Sequence, residues 1–259
     1  MKRLTLFVKG NLDVRDTLHS LRIGGRIEWN GANEIVRDRF PGVSVRIQHE
    51  LFTRSDALLA ATGAIPAGLE QRELPLEPYT LASQFGTALF ETDADAFVLS
   101  IQPDVMTHLV RHRADGYLFY PNARESWPPK ARGFVDEAFE AMEPLDVESS
   151  MRNFGQIIER IRRRSDAPIL IYNLSPVIPG EVLRFPLGLS ETLSTRIRRF
   201  NLGLIELAGQ TDVAIVDVDT LVARAGADRV KLDALHLNAA GSRLVAEEVI
   251  AILEEQGCF

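Results

Sequence analysis

Asp233 and His236 stand three residues apart in LDALHLN, directly ahead of the run AAGSRLVAEEVIAIL. Imidazole is the side chain best suited to take up a proton near neutral pH. A carboxylate that accepts its other ring N–H fixes the tautomer and stabilises the imidazolium that forms. A spacing of three where a loop enters a helix lets both side chains face one crevice, although packing and helix capping use the same residues. A second dense polar run, Asn11, Asp13, Arg15, Asp16, Thr17, His19 and Ser20, follows the apolar stretch LTLFV. It reads either as a functional loop or as ordinary turn and cap chemistry. Arg46, His49, Glu50 and Arg54 form a third group, suited to an anionic substrate group or to surface ion pairing. His108 and His112, four apart on an expected helix, have a spacing that can hold a metal. No third ligand lies at a fitting distance along the chain, so no metal is expected.

These groups need a scaffold. Five short runs rich in β-branched or aromatic residues, at 4–8, 43–47, 96–101, 168–174 and 213–218, alternate with helix-like segments. That alternation is the pattern of a parallel sheet buried on both faces, and it predicts a three-layer α/β/α sandwich. Helices are expected over 31–40, 53–63, 149–164 and 190–209, with a last one from Asn238 whose Leu244, Val245, Val249, Ile250 and Leu253 share a stripe. The chain reads as a single domain, 1–259, with long insertions near 64–93 and 114–130. Long connections of this kind tend to be lids or binding loops. Tyr117, Phe119, Tyr120 and Trp127 in the second insertion suit either an apolar or sugar-binding cleft or a satellite core under a loop. IGGRIEWNGANE, 23–34, pairs two glycines with Trp29, Asn30 and Asn33 and reads as a substrate-contacting loop, Asn30 foremost, or as a capped turn.

Composition narrows the function. The 259 residues carry a net charge of −7, so nothing marks a nucleic-acid-binding surface, and RIRRRS and RIRRF read as solvated helix faces. No apolar stretch approaches a membrane span, and the N-terminus lacks a secretory pattern. The single cysteine, Cys258, fits a reducing compartment, so a cytoplasmic protein is expected. There is no Gly-rich phosphate loop, and no cofactor is expected.

A fifth strand followed by D-x-x-H and a terminal helix resembles the SGNH/GDSL hydrolase superfamily. DALHLNAAG, 233–241, carries the resemblance, and the segments PILIYNLSPVIPG, LSTRIRRFNLGLIELA and VAIVDVDTL stand at fitting spacing before it. The resemblance implies a five-stranded parallel, flavodoxin-like sheet with a catalytic crevice at its carboxyl edge. It further implies that Asp233 orients His236, that His236 activates a serine after the first strand, and that a glycine and an asparagine line an oxyanion hole.

The N-terminal blocks depart from that pattern. Aligned on the glycine of G-D-S-L, Gly10, Asn11 and Leu12 take the first three positions; aligned on its end, RDTL places Thr17 at the serine. Thr17 is the first choice of nucleophile, with Ser20 and Ser55 as alternatives. Gly10, Asn11 and Gln102 are the oxyanion candidates, Gln102 or Pro103 standing where the family has asparagine. The expected function is hydrolysis of an ester or related acyl bond in a small-molecule acyl or sugar-ester substrate. Activation of water or a substrate hydroxyl without a covalent step is one alternative. A non-hydrolytic binding protein of the same fold is another.

Overall fold

Alternation within the five apolar runs builds the centre of the molecule. The computed structural model describes residues 2–51, 54–76, 78–181 and 191–259; residues 53 and 190, the expected starts of two helices, lie outside these. In chain order the strands are β1 (Lys2–Lys9), β2 (Leu21–Ile23), β3 (Arg26–Trp29), β4 (Val43–Glu50), β5 (Ala96–Ser100), β6 (Val110–His112), β7 (Leu118–Phe119), β8 (Phe139–Ala141), β9 (Ile169–Tyr172) and β10 (Ala214–Val216). The five expected runs become one parallel sheet of order β10-β9-β5-β1-β4. This is the flavodoxin-like order, whose switch point falls between β1 and β5.

Successive side chains of a strand point to opposite faces. Leu4, Leu6 and Val8 of β1, Ala96 and Val98 of β5, and Leu170 and Tyr172 of β9 join the core under helices Leu12–Leu18, Ala32–Arg39, Val218–Ala225 and Ala239–Glu255. Phe7, Phe97, Leu99, Ile169 and Ile171 join the core under helices Ser55–Ala60, Val147–Arg162 and Leu193–Ala208. The three layers follow from that division. Helix starts are fixed by side chains that satisfy otherwise open N–H groups. Asp146 accepts from Ser149 N at 2.8 Å, Thr192 from Thr195 N at 3.2 Å, and Asn238 from Gly241 N at 3.0 Å. In the last helix Val245, Val249, Ile250 and Leu253 are buried, with Leu244 half-buried at the edge of the stripe.

Three local readings change. His108 and His112 do not share a helix: His108 lies in a connection and His112 ends β6, where its ring stacks on Tyr117 at 4.7 Å. β-branched Val110 and the pairing partners on β7 and β8 turn that segment into an antiparallel strand. The glycine pair Gly24–Gly25 closes a hairpin, β2–β3, both residues having positive φ. The long insertions are not open loops: β6, β7, β8 and the helices around them bury Leu69, Phe85, Phe119, Trp127 and Phe139 in a core of their own. Phe119 and Trp127 are thereby spent on packing rather than on a cleft. Among the described residues no helix is long and apolar enough to cross a membrane.

Candidate active site

The carboxyl ends of β1, β4, β5 and β9 gather the polar groups. At the β1 end, a Cβ on Gly10 would stand 2.3 Å from Val14 Cγ2, so the chain turns into the first helix only with glycine there. The Gly10 N–H donates to Glu50 O at 3.2 Å, which commits it to the sheet instead of to an oxyanion. Asn11 caps this helix without a side-chain cap bond, and its Oδ1 is buried with no hydrogen-bond partner among the described residues. Gln102, beyond β5, has a buried, unpartnered Oε1 as well, again among the described residues.

His236 and Asp233 meet as their spacing suggests. Lys231 and Leu237 form an isolated bridge, and Leu232 N donates to His236 O at 2.8 Å, closing the chain into a tight loop. Asp233 Oδ1 accepts from the backbone N–H of Leu235 and of His236, both at 2.9 Å, and Oδ2 lies 2.8 Å from His236 Nδ1. Burial pulls the Asp233 carboxyl up, but the N–H groups of His236 and Leu235 and the imidazole outweigh it and hold the carboxyl below the usual range. The His236 side chain is 35% exposed, so the ring is open rather than sealed in the core. Its Nε2 makes no hydrogen bond among the described residues.

Asn238 and Gly241 complete the loop. Asn238 caps the last helix, and a Cβ on Gly241 would stand 2.5 Å from Val230 O, so only glycine lets the helix lie this close. The HLN..G continuation of the motif is therefore scaffold for the loop that carries Asp233 and His236.

Thr17 is 1% exposed and lies inside the first helix, where its Oγ1 donates back to Asp13 O or Val14 O and meets Tyr172 Oη at 3.1 Å. It makes no hydrogen bond to His236. Ser20 pairs with the ring of its neighbour His19 at 3.2 Å. Ser55 is fully buried and donates to Asp104 Oδ2 at 2.5 Å, beside Ser150, which donates to the same oxygen at 2.6 Å. Burial raises the Asp104 carboxyl to about 6 against the pull of those two hydroxyls. Asn30 is exposed and lines a separate hollow with Trp29, Glu34 and Arg243.

The anion-binding group also disperses. Glu50 pairs with buried Lys9 at 2.8 Å, Arg54 with Asp56 at 2.6 Å, and His49 Nε2 donates to Gly10 O at 2.7 Å, while Arg46 points to solvent. Among the described residues no three His, Cys, Asp or Glu side chains are grouped as metal ligands.

Two residues of the site escape sequence reasoning. The sequence marks Asp13 only as part of a polar run. Its Oδ2 accepts from Ser100 Oγ at the end of β5, and its Oδ1 is buried with no partner among the described residues. Burial lifts its carboxyl to about 6, with Ser100, the Val14 N–H and His236 pulling the other way. Lys231, directly before the Leu-Asp-Ala-Leu-His stretch, donates to Val177 O at 2.7 Å and Ala234 O at 2.8 Å. Asp13, Thr17, Tyr172, Ser175, Lys231 and Leu235 line a cavity of about 20 Å³, room for roughly one water molecule.

Known proteins resemble this chain in part of its sequence and in its fold. The model of the GDSL-like lipase/acylhydrolase family matches residues 123–244, a span that holds Asp233 and His236 but not the β1 turn. Over that span the chain resembles the GDSL-like family. The GDSL-like fold extends further than the sequence match. An acetylxylan esterase from Geobacillus stearothermophilus superposes over 98% of this chain and 94% of its own, at 11% identity and a TM-score of 0.54. LAE5, an alpha/beta hydrolase enzyme from the metagenome of Lake Arreo, covers 98% of this chain and 95% of its own at 13% identity and a TM-score of 0.52. At such identities the likeness is one of fold. No curated protein matches this GDSL-like chain in sequence.

Proposed function

We propose that this GDSL-like chain hydrolyses a small-molecule acyl ester, with His236 activating water directly rather than a protein hydroxyl. One observation carries the reading: the imidazole is held by Asp233 through Nδ1 with Nε2 left open among the described residues, while the Thr17 hydroxyl is spent inside its helix and Leu12 takes the serine position when the chain is aligned on the glycine of G-D-S-L. With Nδ1–H donated to the carboxylate, Nε2 is the acceptor tautomer. Water attacks the ester carbonyl and gives its proton to Nε2. The tetrahedral intermediate then collapses as the imidazolium returns the proton to the leaving alkoxide, yielding acid and alcohol. Asp233 and, from the β1 side, Asp13 stabilise the imidazolium. The amide N–H groups of Asn11 and Gln102 are the oxyanion donors. We place the reaction in one domain, 1–259, and in the cytoplasm, and it calls on neither a cofactor nor a metal.

A panel of p-nitrophenyl acyl esters tests this with wild type and His236→Ala. The expected result is turnover that falls roughly 10²–10⁴-fold in the variant, no burst of p-nitrophenol and no labelling by a fluorophosphonate. Turnover unaffected by the substitution overturns it. Leu12 also favours a second reading, a binding protein of the same fold without hydrolysis. Absence of turnover on every chain length would put that reading in its place.

A further inference from the structure

Leu12, Arg15 and His19 are spaced three and four apart and so share one side of the first helix, while Asp13 and Thr17 share another. The Asp13 side faces the small cavity already described. The Leu12 side faces a larger one, about 660 Å³, at the carboxyl ends of β1 and β4. Ile47 and His49 of β4, with Leu51 just beyond it, form its second wall, and Tyr79, Thr80 and Asn122 of the two insertions form its third. In a chain of net charge −7, the described lining holds an arginine and two histidines and no carboxylate. Burial lowers the His49 pKa; the hydrogen bond to Gly10 O opposes this, and Arg15, Lys9 and His19 add to the lowering, so the imidazole is pushed toward its neutral form.

We propose that this cavity binds the free carboxylate of a small hydroxy acid, the part of the substrate that lies beside the ester to be cleaved. Arg15 supplies the charge. Its Nε and Nη2 donate to Asp16 Oδ1 at 2.9 and 2.7 Å, which orients the guanidinium and leaves the Nη1 and remaining Nη2 hydrogens for a second, end-on pair of bonds. Two parallel donors of that kind match the two oxygens of a carboxylate. The side chain is 40% exposed, so a ligand reaches it. Arg15 is the one permanent cation of the described wall. Leu12, Ile47 and the Tyr79 ring, 61% exposed, offer apolar contact to the ligand's body.

The assignment rests on the hydrolase reading for its meaning as a substrate site, but binding tests it without turnover. Dissociation constants are measured by ligand-observed NMR for 4-hydroxybenzoate, 4-hydroxybenzamide and phenyl phosphate. The expected order has 4-hydroxybenzoate at least roughly tenfold tighter than the amide and tighter than the phosphate. Arg15→Met removes the preference over the amide, and Arg15→Lys, which keeps the charge but not the fork, retains part of it. His236→Ala leaves binding intact. Should Arg15→Met fail to fold, Tyr79→Ala decides: it weakens all three ligands while the charge preference stays. Equal binding of benzoate and benzamide, binding of none, tighter binding of the phosphate, or an Arg15→Met variant that still discriminates overturns the assignment. Ester turnover with no carboxylate preference removes this site and leaves the hydrolase proposal standing.

Discussion

Lys231 donates from Nζ to the carbonyl oxygen of Ala234 at 2.8 Å, the residue beside Asp233, and at 2.7 Å to Val177 O on the loop after β9. One ammonium thus ties the loop carrying Asp233 and His236 to the sheet edge. Burial lowers its pKa to about 8, with Asp233 and Asp219 resisting. Deprotonation removes the charge that strengthens these bonds, so activity is expected to decline as pH rises through about 8. Lys231→Met is expected to lower kcat roughly tenfold or more, since misplacing a base by an ångström costs that much, and to abolish the alkaline decline. A kcat–pH profile checks both; an alkaline limb that persists in the variant would assign it elsewhere.

Asp13 offers a complementary test at acid pH. Its carboxyl titrates at about 6, so above that pH it is an anion able to stabilise the imidazolium on His236, and below it the effect is lost. Asp13→Asn is therefore expected to cost about tenfold or more in kcat at pH 8, in line with the influence of a nearby opposite charge. The ratio of wild type to variant should shrink as pH falls below about 6. A ratio constant between pH 5 and 8 would show that Asp13 serves only to tie the helix to Ser100.

Asp104 makes a prediction about stability alone. Buried with Ser55 and Ser150, it titrates at about 6 against an ordinary 3.8. A raised acid pKa favours the folded state fully below the unfolded value, and that contribution disappears as pH rises through the folded value. The difference corresponds to about 3 kcal/mol. Asp104→Asn does not titrate, so its stability relative to wild type is expected to rise between pH 4 and pH 7 by an amount of that order. Urea unfolding at the two pH values measures it. No change in the difference would mean that the Asp104 carboxyl titrates normally.

What the sequence reveals follows from how local each signal is. The five parallel strands are near-continuous apolar runs because both faces are buried, and Asp233 and His236 lie three residues apart on one loop, so composition and spacing suffice for both. Asp13 and Ser100 are far apart in the chain and meet only because β1 and β5 are neighbours in the sheet; no spacing announces that. Aligning RDTL with a motif selects Thr17, but the helix that begins at Leu12 turns its hydroxyl onto the backbone of the preceding turn and toward Tyr172. The insertions look like binding loops when proline and aromatic residues are counted without the pairing of β6 with β7 and β8, which converts Phe119 and Trp127 into core.

Leu12 supplies the sharpest test of the β1 turn. Aligned on the glycine of G-D-S-L it takes the serine position, after Gly10 and Asn11, and it is 38% exposed, so a smaller polar side chain fits without cost to the core. If His236 Nε2 faces that position, Leu12→Ser places a hydroxyl where the base can take its proton, and a covalent acyl-enzyme route opens. The variant is expected to become labelled by a fluorophosphonate on the introduced hydroxyl and to show a burst of p-nitrophenol absent from wild type. The double variant Leu12→Ser with His236→Ala should lose both. Intact-mass spectrometry after probe treatment gives the answer directly: an unlabelled but folded Leu12→Ser protein would mean that His236 serves a point in the crevice other than the one the family uses, and the water it activates would have to be sought on the Asp13 side of the helix.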